Sequence, residues 1–179
     1  MSRIGKKPIA IPSGVTVQID DNTRIIKVSG VLGHLEQKFH TDVVFDIQGN
    51  EVKVTVPNPT NTRQRSMWGT SQAILSNMIQ GVSTGYTKSL ELNGVGFKME
   101  LSNDLTLYIG FSHSVKVVIP NGIKLTLAKN VLSGTSTDKQ LLGDFFMNVF
   151  KLKPCDVYKH KGFKFPGAFY RKKVGKKSK

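Results

Sequence analysis

The feature that most constrains the fold of this chain is a repeated alternation of apolar and polar residues. A period of two puts the apolar side chains of a segment on one face, as in an antiparallel sheet with one buried face. The alternating segments are Val15–Ile19, Val52–Val56, Phe97–Leu101 and Ile123–Leu127. Short turn signals separate them, so the strands are expected to pair as hairpins. These signals are Asp20-Asp21-Asn22, Gly49-Asn50, Ser102-Asn103-Asp104 and Asn121-Gly122.

A helical period replaces the alternation in two segments. The first runs from about Thr62 to Gln80, where apolar residues recur at three- and four-residue spacing. Asn61 and Gln64 resemble a capping box at its start, and Gly81 is expected to end it. Its apolar face is predicted to be core and comprises Met67, Trp68, Ile74, Leu75, Met78 and Ile79.

The second helical segment runs from about Asp138 to Leu152. Thr137 and Gln140 fit a capping box, and Pro154 follows, where a helix is interrupted. Its apolar face is also predicted to be core and comprises Leu141, Leu142, Phe145, Phe146, Val149 and Phe150.

The order of elements is therefore strands, helix, strands, helix and tail. The sequence also contains an internal repeat. Ile11-Pro-Ser-Gly-Val15 resembles Ile119-Pro-Asn-Gly-Ile123, and Ser29-Gly30 and Ser133-Gly134 follow at similar spacing. The sequence thus predicts an α+β fold with two tandem related domains, each an antiparallel sheet packed with one main helix, plus a basic C-terminal tail. The predicted domains are residues 1–82 and 83–153, and the predicted tail is 154–179.

Positive charge is concentrated at the two ends of the chain. The net charge is +14, yet residues 8–150 hold twelve basic and eleven acidic residues. Residues 151–179 carry eleven Lys or Arg residues against one acid, Asp156, and the first seven residues carry Arg3, Lys6 and Lys7. A nearly neutral body with cationic ends is typical of a protein that binds a polyanion. A solubility tail or a nuclear-localisation signal would have a similar composition.

Aromatic residues are interleaved with the cations of the tail, which favours nucleic-acid binding over a tail that only aids solubility. Lys and Arg neutralise phosphates and release counterions, whereas aromatic rings stack on unpaired bases or pack into a core. Roughly half of these rings are expected to be core attachments. The rings are Tyr158, Phe163, Phe165, Phe169 and Tyr170.

Sequence motifs for catalysis, metal binding and nucleotide binding are absent from the chain. Its four histidines lack H-x-x-H or H-E-x-x-H spacing, and one cysteine cannot form a Cys-rich zinc site. Cys155 lies beside Asp156 and near His160, but nothing in the spacing fixes a catalytic triad, so an incidental thiol is the simpler interpretation. No enzyme activity, cofactor or metal is predicted. No apolar stretch approaches the ~20 residues that span a bilayer, so no membrane partner is predicted either.

Five segments, in order along the chain, resemble the bacterial-type large-subunit ribosomal protein six family. They are Met1-Ser-Arg-Ile-Gly-Lys-Lys-Pro-Ile-Ala-Ile-Pro-Ser-Gly-Val15, Asn77-Met-Ile-Gln-Gly-Val82, Leu92-Asn-Gly-Val-Gly-Phe97, Gly110-Phe-Ser-His113 and Asp138-Lys-Gln-Leu-Leu-Gly143. Each motif alone is weak, but five in register over the whole chain are specific.

The resemblance implies two related α+β domains without catalysis or cofactor. It implies binding to large-subunit ribosomal RNA (rRNA), mainly through the second domain and the tail, near the sarcin–ricin loop and the stalk base, where translation factors dock. Neighbouring large-subunit proteins are the other expected partners, and no homo-oligomer is expected. The expected location is a ribosome, in the bacterial cytoplasm or in an organelle such as the mitochondrial matrix. A free-standing regulatory RNA- or DNA-binding protein and an RNA-modifying enzyme are the alternatives.

The residues expected to bind rRNA are cations at both ends of the chain. They are Lys159, Lys161, Lys164, Arg171, Lys172 and Lys173 in the tail, and Arg3, Lys6 and Lys7 at the N-terminus. One departure from the family stands among them. The family usually has Tyr-Lys-Gly-Lys-Gly where this chain has Tyr158-Lys-His-Lys-Gly162. If this position needs a positive φ, the β-carbon of His160 is costly.

Overall fold

The computed structural model describes residues 3–20 and 22–176, which form two helices and thirteen strands. The helices are α1 (Thr62–Ser83) and α2 (Lys139–Leu152). The strands are β1 (Ile9–Ala10), β2 (Thr16–Asp20), β3 (Ile25–Gly30), β4 (Gly33–Lys38), β5 (Val44–Gln48), β6 (Glu51–Thr55), β7 (Tyr86–Asn93), β8 (Lys98–Leu101), β9 (Leu105–Tyr108), β10 (Val115–Val117), β11 (Ile123–Ala128), β12 (Val131–Ser136) and β13 (Gly162–Lys164).

The four alternating segments all form strands, as predicted, and every pairing between these named strands is antiparallel. The predicted turn after β2 is built by Asp20. Its carboxylate accepts hydrogen bonds from the Asn22 N–H (3.0 Å) and the Thr23 hydroxyl (2.7 Å). These bonds, with the Thr23 hydroxyl as the largest cause, lower the pKa of Asp20. Asp21 lies outside the described residues.

The first compact unit ends at Gly85 and also includes Thr137–Lys139. Its strands form two three-stranded sheets, in the orders β1-β6-β5 and β2-β3-β4. Helix α1 approaches the second of these sheets closely, because a Cβ on Gly30 would lie only 2.8 Å from the Val82 carbonyl oxygen. The same oxygen accepts a hydrogen bond from the Leu32 N–H (3.1 Å), which fixes the end of α1 against the β3–β4 hairpin.

The second compact unit comprises Tyr86–Ser136 and the chain from Gln140 onward. Its strands also form two sheets, in the orders β10-β9-β8 and β11-β12-β7-β13. Helix α2 buries Phe146 and three apolar neighbours in a core of its own. A Cβ on Gly134 would lie 2.7 Å from Cε2 of Phe146, so the absence of a side chain in β12 allows this packing.

The predicted α+β class is confirmed, but the prediction of one sheet per domain is wrong, because each unit contains two. Alternation with a period of two identifies the side chains that share a face of a strand. It does not identify the strand to which each backbone is hydrogen-bonded, and that choice divides the strands among four sheets.

The start of α1 agrees with the predicted cap in part. Asn61 is the N-cap, and its side-chain oxygen accepts a hydrogen bond from the Arg63 N–H (3.0 Å). The predicted capping box is not completed, because the Gln64 side chain accepts from the Asn58 N–H (2.9 Å) rather than from Asn61. Gln64 therefore secures the loop before the helix instead of the cap itself.

The predicted end of α1 at Gly81 is wrong. Gly81 is buried inside the helix, which continues to Ser83. Gly85 supplies the left-handed residue that ends it, with φ +75°, and its N–H donates to the Gln80 carbonyl oxygen (3.3 Å).

Candidate nucleic-acid interface

The C-terminal segment is anchored in the second unit by β13. This strand pairs with β7, and Phe163 at its centre has no solvent exposure. The preceding chain is tied to the same residue, since the Phe163 N–H donates to the Lys153 carbonyl oxygen (2.8 Å) and the Cys155 N–H donates to the Phe163 carbonyl oxygen (3.1 Å). The cations between Pro154 and Gly162 therefore lie on a closed loop with fixed ends.

Asp156 organises this loop, a role that the sequence did not indicate. Its backbone N–H donates to the Lys161 carbonyl oxygen, and its backbone carbonyl accepts from the His160 N–H (both 2.9 Å). Its carboxylate accepts from the Lys159 N–H (3.0 Å). The exposed side chains of Lys159 and Lys161 are thus carried by a hydrogen-bonded turn.

Replacing Asp156 by alanine is expected to loosen the turn that carries Lys159 and Lys161. Hydrogen bonds from the backbone N–H groups of Lys159 and Tyr158 hold the pKa of Asp156 below its ordinary value. The carboxylate therefore stabilises the folded turn above the ordinary carboxyl pKa, and this contribution is lost as the pH falls through the lowered value. Amide exchange measured by NMR should become several-fold faster at Lys159 in Asp156→Ala. Asp156→Asn is the control, because its amide oxygen can still accept the bond. Unchanged exchange in the alanine variant would contradict this role.

His160 has a left-handed backbone conformation. The family usually has glycine at this position, and the positive φ explains that preference. Its φ is +55°, a region in which glycine is less strained than a residue with a β-carbon. The Nε2 atom of its ring is buried and has no hydrogen-bond partner among the described residues. This chain therefore keeps the loop conformation expected of glycine and accepts the strain of a histidine there.

Lys164 differs from the other predicted contact residues because its charge is already paired. Its Nζ lies 3.2 Å from a carboxylate oxygen of Glu91 on the neighbouring strand, and both side chains are about one-third exposed. The Asn93 amide is oriented so that its nitrogen donates to Glu91 and its oxygen accepts a hydrogen bond from the Nζ of Lys164 (3.2 Å). Lys164 thus serves the packing of β13, and less of its charge is available to a phosphate.

Arg171, Lys172 and Lys173 are all exposed and lie beside the Asp156 loop. The Lys173 N–H donates to the Val157 carbonyl oxygen (3.0 Å), which brings the end of the chain back to the loop. The structure therefore brings the segment that carries three of the six predicted tail cations next to the loop that carries two others. We call this set the tail cation cluster; it comprises Lys159, Lys161, Arg171, Lys172 and Lys173. Residues 177–179 lie outside the described residues.

The N-terminal cations Arg3, Lys6 and Lys7 are exposed and belong to the first unit. Their segment is docked on α1, because a Cβ on Gly5 would lie 2.7 Å from the indole of Trp68. The Lys7 carbonyl oxygen also accepts a hydrogen bond from the Gln72 side chain (3.3 Å). These cations are therefore presented by an ordered backbone.

The tail aromatics divide between core and surface. Phe163 is buried, Phe165 stacks on Phe150 with ring centroids 5.2 Å apart, and the Tyr170 hydroxyl accepts from the Phe165 N–H (3.4 Å). Tyr158 and Phe169 are exposed, by 51% and 92%. These two rings are free to meet a planar ligand, whereas the others hold the segment in place.

The described residues contain neither a metal-binding cluster nor an activated cysteine. No group of three or more His, Cys, Asp or Glu side chains lies close enough to hold a metal within residues 3–20 and 22–176. Burial raises the pKa of the Cys155 thiol, the opposite of what an activated nucleophile needs. Over the same residues, neither helix is long and apolar enough to cross a membrane.

Comparison with known proteins gives a consistent result over the length of the chain. Residues 11–85 match the family described as Ribosomal protein L6. A protein of Magnetococcus marinus named large ribosomal subunit protein uL6 is 40% identical and aligns over 99% of both chains. Proteins of the same name from Listeria welshimeri and Phytoplasma mali are also 40% identical, over 100% of this chain and 100% and 99% of their own lengths.

Proposed function

This chain belongs to the ribosomal protein L6 family, whose members are structural, non-enzymatic components of the large ribosomal subunit, and we propose that it binds large-subunit rRNA through the tail cation cluster. Its place is the ribosome, and its bacterial relatives favour the bacterial cytoplasm over an organelle. The observation that carries the proposal is the presence of five exposed cations on two adjacent segments of the second unit, which the Lys173–Val157 and Asp156–Lys159 hydrogen bonds hold in place.

Such a surface suits the backbone of a folded RNA. Exposed Lys and Arg side chains gain most of their affinity from phosphates and from released counterions, with little dependence on base sequence. Double-stranded RNA is recognised largely by shape and by phosphate and 2′-hydroxyl contacts. The cluster therefore binds a defined position in a large RNA through the shape that its phosphates form. Lys164, Arg3, Lys6 and Lys7 are proposed as secondary contacts.

The rRNA segment proposed for this contact lies near the sarcin–ricin loop and the stalk base, on the strength of the family resemblance. Translation factors would then dock nearby, and neighbouring large-subunit proteins would complete the surroundings of a single copy of the chain. Bound in this way, the protein stabilises the tertiary structure of the rRNA for translation.

We further propose that the two units are related copies of one plan, with residues 1–82 and 83–153 as domains and 154–179 as the RNA-binding tail. Matching turns support this. The Val15 N–H donates to the Pro12 carbonyl oxygen (3.1 Å), and the Ile123 N–H donates to that of Pro120 (3.4 Å). Between them, Gly14 and Gly122 take φ values of +90° and +95°.

A glycine in each unit is a second observation that supports a relationship between the two units. Gly30 in β3 and Gly134 in β12 each lack room for a Cβ, because Val82 of α1 or Phe146 of α2 lies against them. Each of these strands also pairs with the strand that follows the matching turn. The matching turns and glycines support the proposal that the sequence repeat reflects two copies of one turn, hairpin and helix arrangement.

Sedimentation tests the proposed function directly. Ribosomal subunits from cells expressing the tagged chain should be separated on sucrose gradients, and the chain is expected to travel with the large subunit. It should remain there after a moderate salt wash, because many phosphate contacts dissociate together only at high salt. A chain that stays at the top of the gradient, or travels with the small subunit, would contradict the proposal.

A further inference from the structure

Two loops of the second unit carry motif residues that the tail cation cluster does not use. The loop after β7 contains Gly94 and Phe97, and the loop after β9 contains Gly110. A Cβ on Gly94 would lie 2.7 Å from Cδ2 of Phe97, and a Cβ on Gly110 would lie 3.1 Å from its Cε1. Both glycines also have positive φ, +144° and +83°. The Phe97 ring is therefore held between the two loops, and it fixes the position of the residues that follow Gly110.

Those residues expose an aromatic pair. The rings of Phe111 and His113 are nearly parallel, with an interplanar angle of 16° and centroids 6.1 Å apart. Phe111 is 46% exposed and His113 is also exposed. A large aromatic side chain left half in solvent gains little stability from its position. Two such rings in parallel form a surface to which a third planar group can add.

A chain of contacts joins this pair to the tail cation cluster. The Nζ of Lys153 lies 5.6 Å from the centroid of the Phe111 ring. Lys153 and Phe97 also line an open depression together with Lys159 and Lys161. Asp156 is the one acid lining it, and its carboxylate is occupied by the backbone N–H of Lys159. The depression therefore presents three cations beside the aromatic pair and only one carboxylate among its lining residues, which is hydrogen-bonded to the Lys159 N–H.

From this arrangement we infer that Phe111 and His113 form a stacking platform for an unpaired nucleobase of the rRNA, while Lys153, Lys159 and Lys161 bind the phosphates on either side of it. The inference rests on the proposed function and adds a single-stranded nucleotide to the phosphate surface. Aromatic planes next to cations are the arrangement that binds single strands, because every base has a π face and every nucleotide a phosphate. An acidic peptide would meet the cations but would gain nothing from the parallel rings.

The test compares Phe111→Ala with Phe111→Trp in the full chain, with a large-subunit rRNA transcript as the probe. Loss of one stacked base should weaken binding roughly tenfold. The dependence of affinity on salt should be unchanged, since no phosphate contact is removed. Phe111→Trp keeps a platform and should bind like the parent.

Lys153→Ala should instead lower the salt slope by about one unit. Ultraviolet crosslinking of intact large subunits should attach the Phe111 peptide to a nucleotide that chemical probing identifies as unpaired.

The outcomes separate this inference from the function on which it rests. Normal binding by Phe111→Ala, or equal loss in Phe111→Trp and Phe111→Ala, would overturn the stacking platform while leaving the tail cation cluster in place. Crosslinks from the Phe111 peptide to a protein neighbour would do the same. A wild-type chain that fails to bind the transcript would overturn the proposed function, and the platform with it. His113→Ala, at an exposed position, repeats the comparison if Phe111→Ala does not fold.

Discussion

Replacing Gly162 by alanine is expected to destabilise the second unit by about 3 to 5 kcal/mol, the sum of backbone strain and overpacking. Gly162 has φ +123°, which residues with a β-carbon rarely adopt. A Cβ there would lie 2.6 Å from the Pro154 carbonyl oxygen and 2.7 Å from that of Lys153. Both atoms are backbone, so no side-chain rotation can relieve the clash. Relief requires β13 to shift away from the segment that carries the cations.

Chemical denaturation of the purified chain measures this effect, with Gly167→Ala as the matched control. Gly167 also has a positive φ, +77°, but nothing lies within 4 Å of its ideal Cβ. Its replacement should cost only the backbone term, about 1 to 2 kcal/mol. The Gly162 variant should also bind rRNA less tightly, because Lys159 and Lys161 depend on the closed loop. Equal destabilisation by the two substitutions would show that the close approach at Gly162 has no structural importance.

The alternating segments and the helical faces were sufficient to predict the fold class from the sequence. Val15–Ile19 and Ile123–Leu127 correspond to β2 and β11 within one residue, and α2 begins one residue later than predicted. Local periodicity determines these elements, because burial of one face selects the backbone conformation. The division into four sheets depended on long-range pairing, such as β7 with both β12 and β13, which local patterns do not encode.

The roles of individual glycines also depend on long-range contacts that local sequence patterns do not encode. The sequence predicted Gly81 as the end of α1, yet Gly85 is the glycine there that takes a positive φ. Gly81 is instead buried within α1. Which role a glycine has depends on the elements that approach it, and those come from distant parts of the chain.

The positive charge of the candidate site could be predicted from the sequence. The ion pairs and ring contacts of its residues could not. Exposed cations such as Lys159 and Lys172 follow from composition alone. Lys164 could not be separated from them, because its partner Glu91 lies on β7, far away in the sequence. Lys153 was not selected, because its link to Phe111 crosses from a helix end to a distant loop. The motif Gly110-Phe-Ser-His113 was the available signal for this second region.

Truncation of the tail cannot isolate the contribution of its charge. A chain that ends at Pro154 lacks Phe163, which is fully buried, and lacks the strand that pairs with β7. Removing so large a buried aromatic side chain costs about 3 to 5 kcal/mol by itself. Weak binding by such a chain would therefore report lost stability as well as lost charge. Substitution of the exposed cations leaves this core intact.

Replacing all five residues of the tail cation cluster by alanine is expected to produce the largest change in RNA binding. Each lost phosphate contact lowers the slope of log affinity against log salt by about 0.7 to 0.9, so five contacts lower it by about 4 units. At low salt this amounts to a loss of affinity of about a thousandfold or more. The control replaces five exposed lysines elsewhere, removing the same charge; they are Lys38, Lys53, Lys116, Lys124 and Lys129.

The salt dependence of rRNA binding, measured for the parent, the cluster variant and the control, tests most directly whether the grouped tail cations contact the phosphates. A loss of about 4 slope units in the cluster variant, against a slope close to the parent value in the control, is the expected result. Equal slopes for the cluster and control variants would mean that only net charge matters. A cluster variant with the parent slope would place the RNA contacts on another surface of the protein.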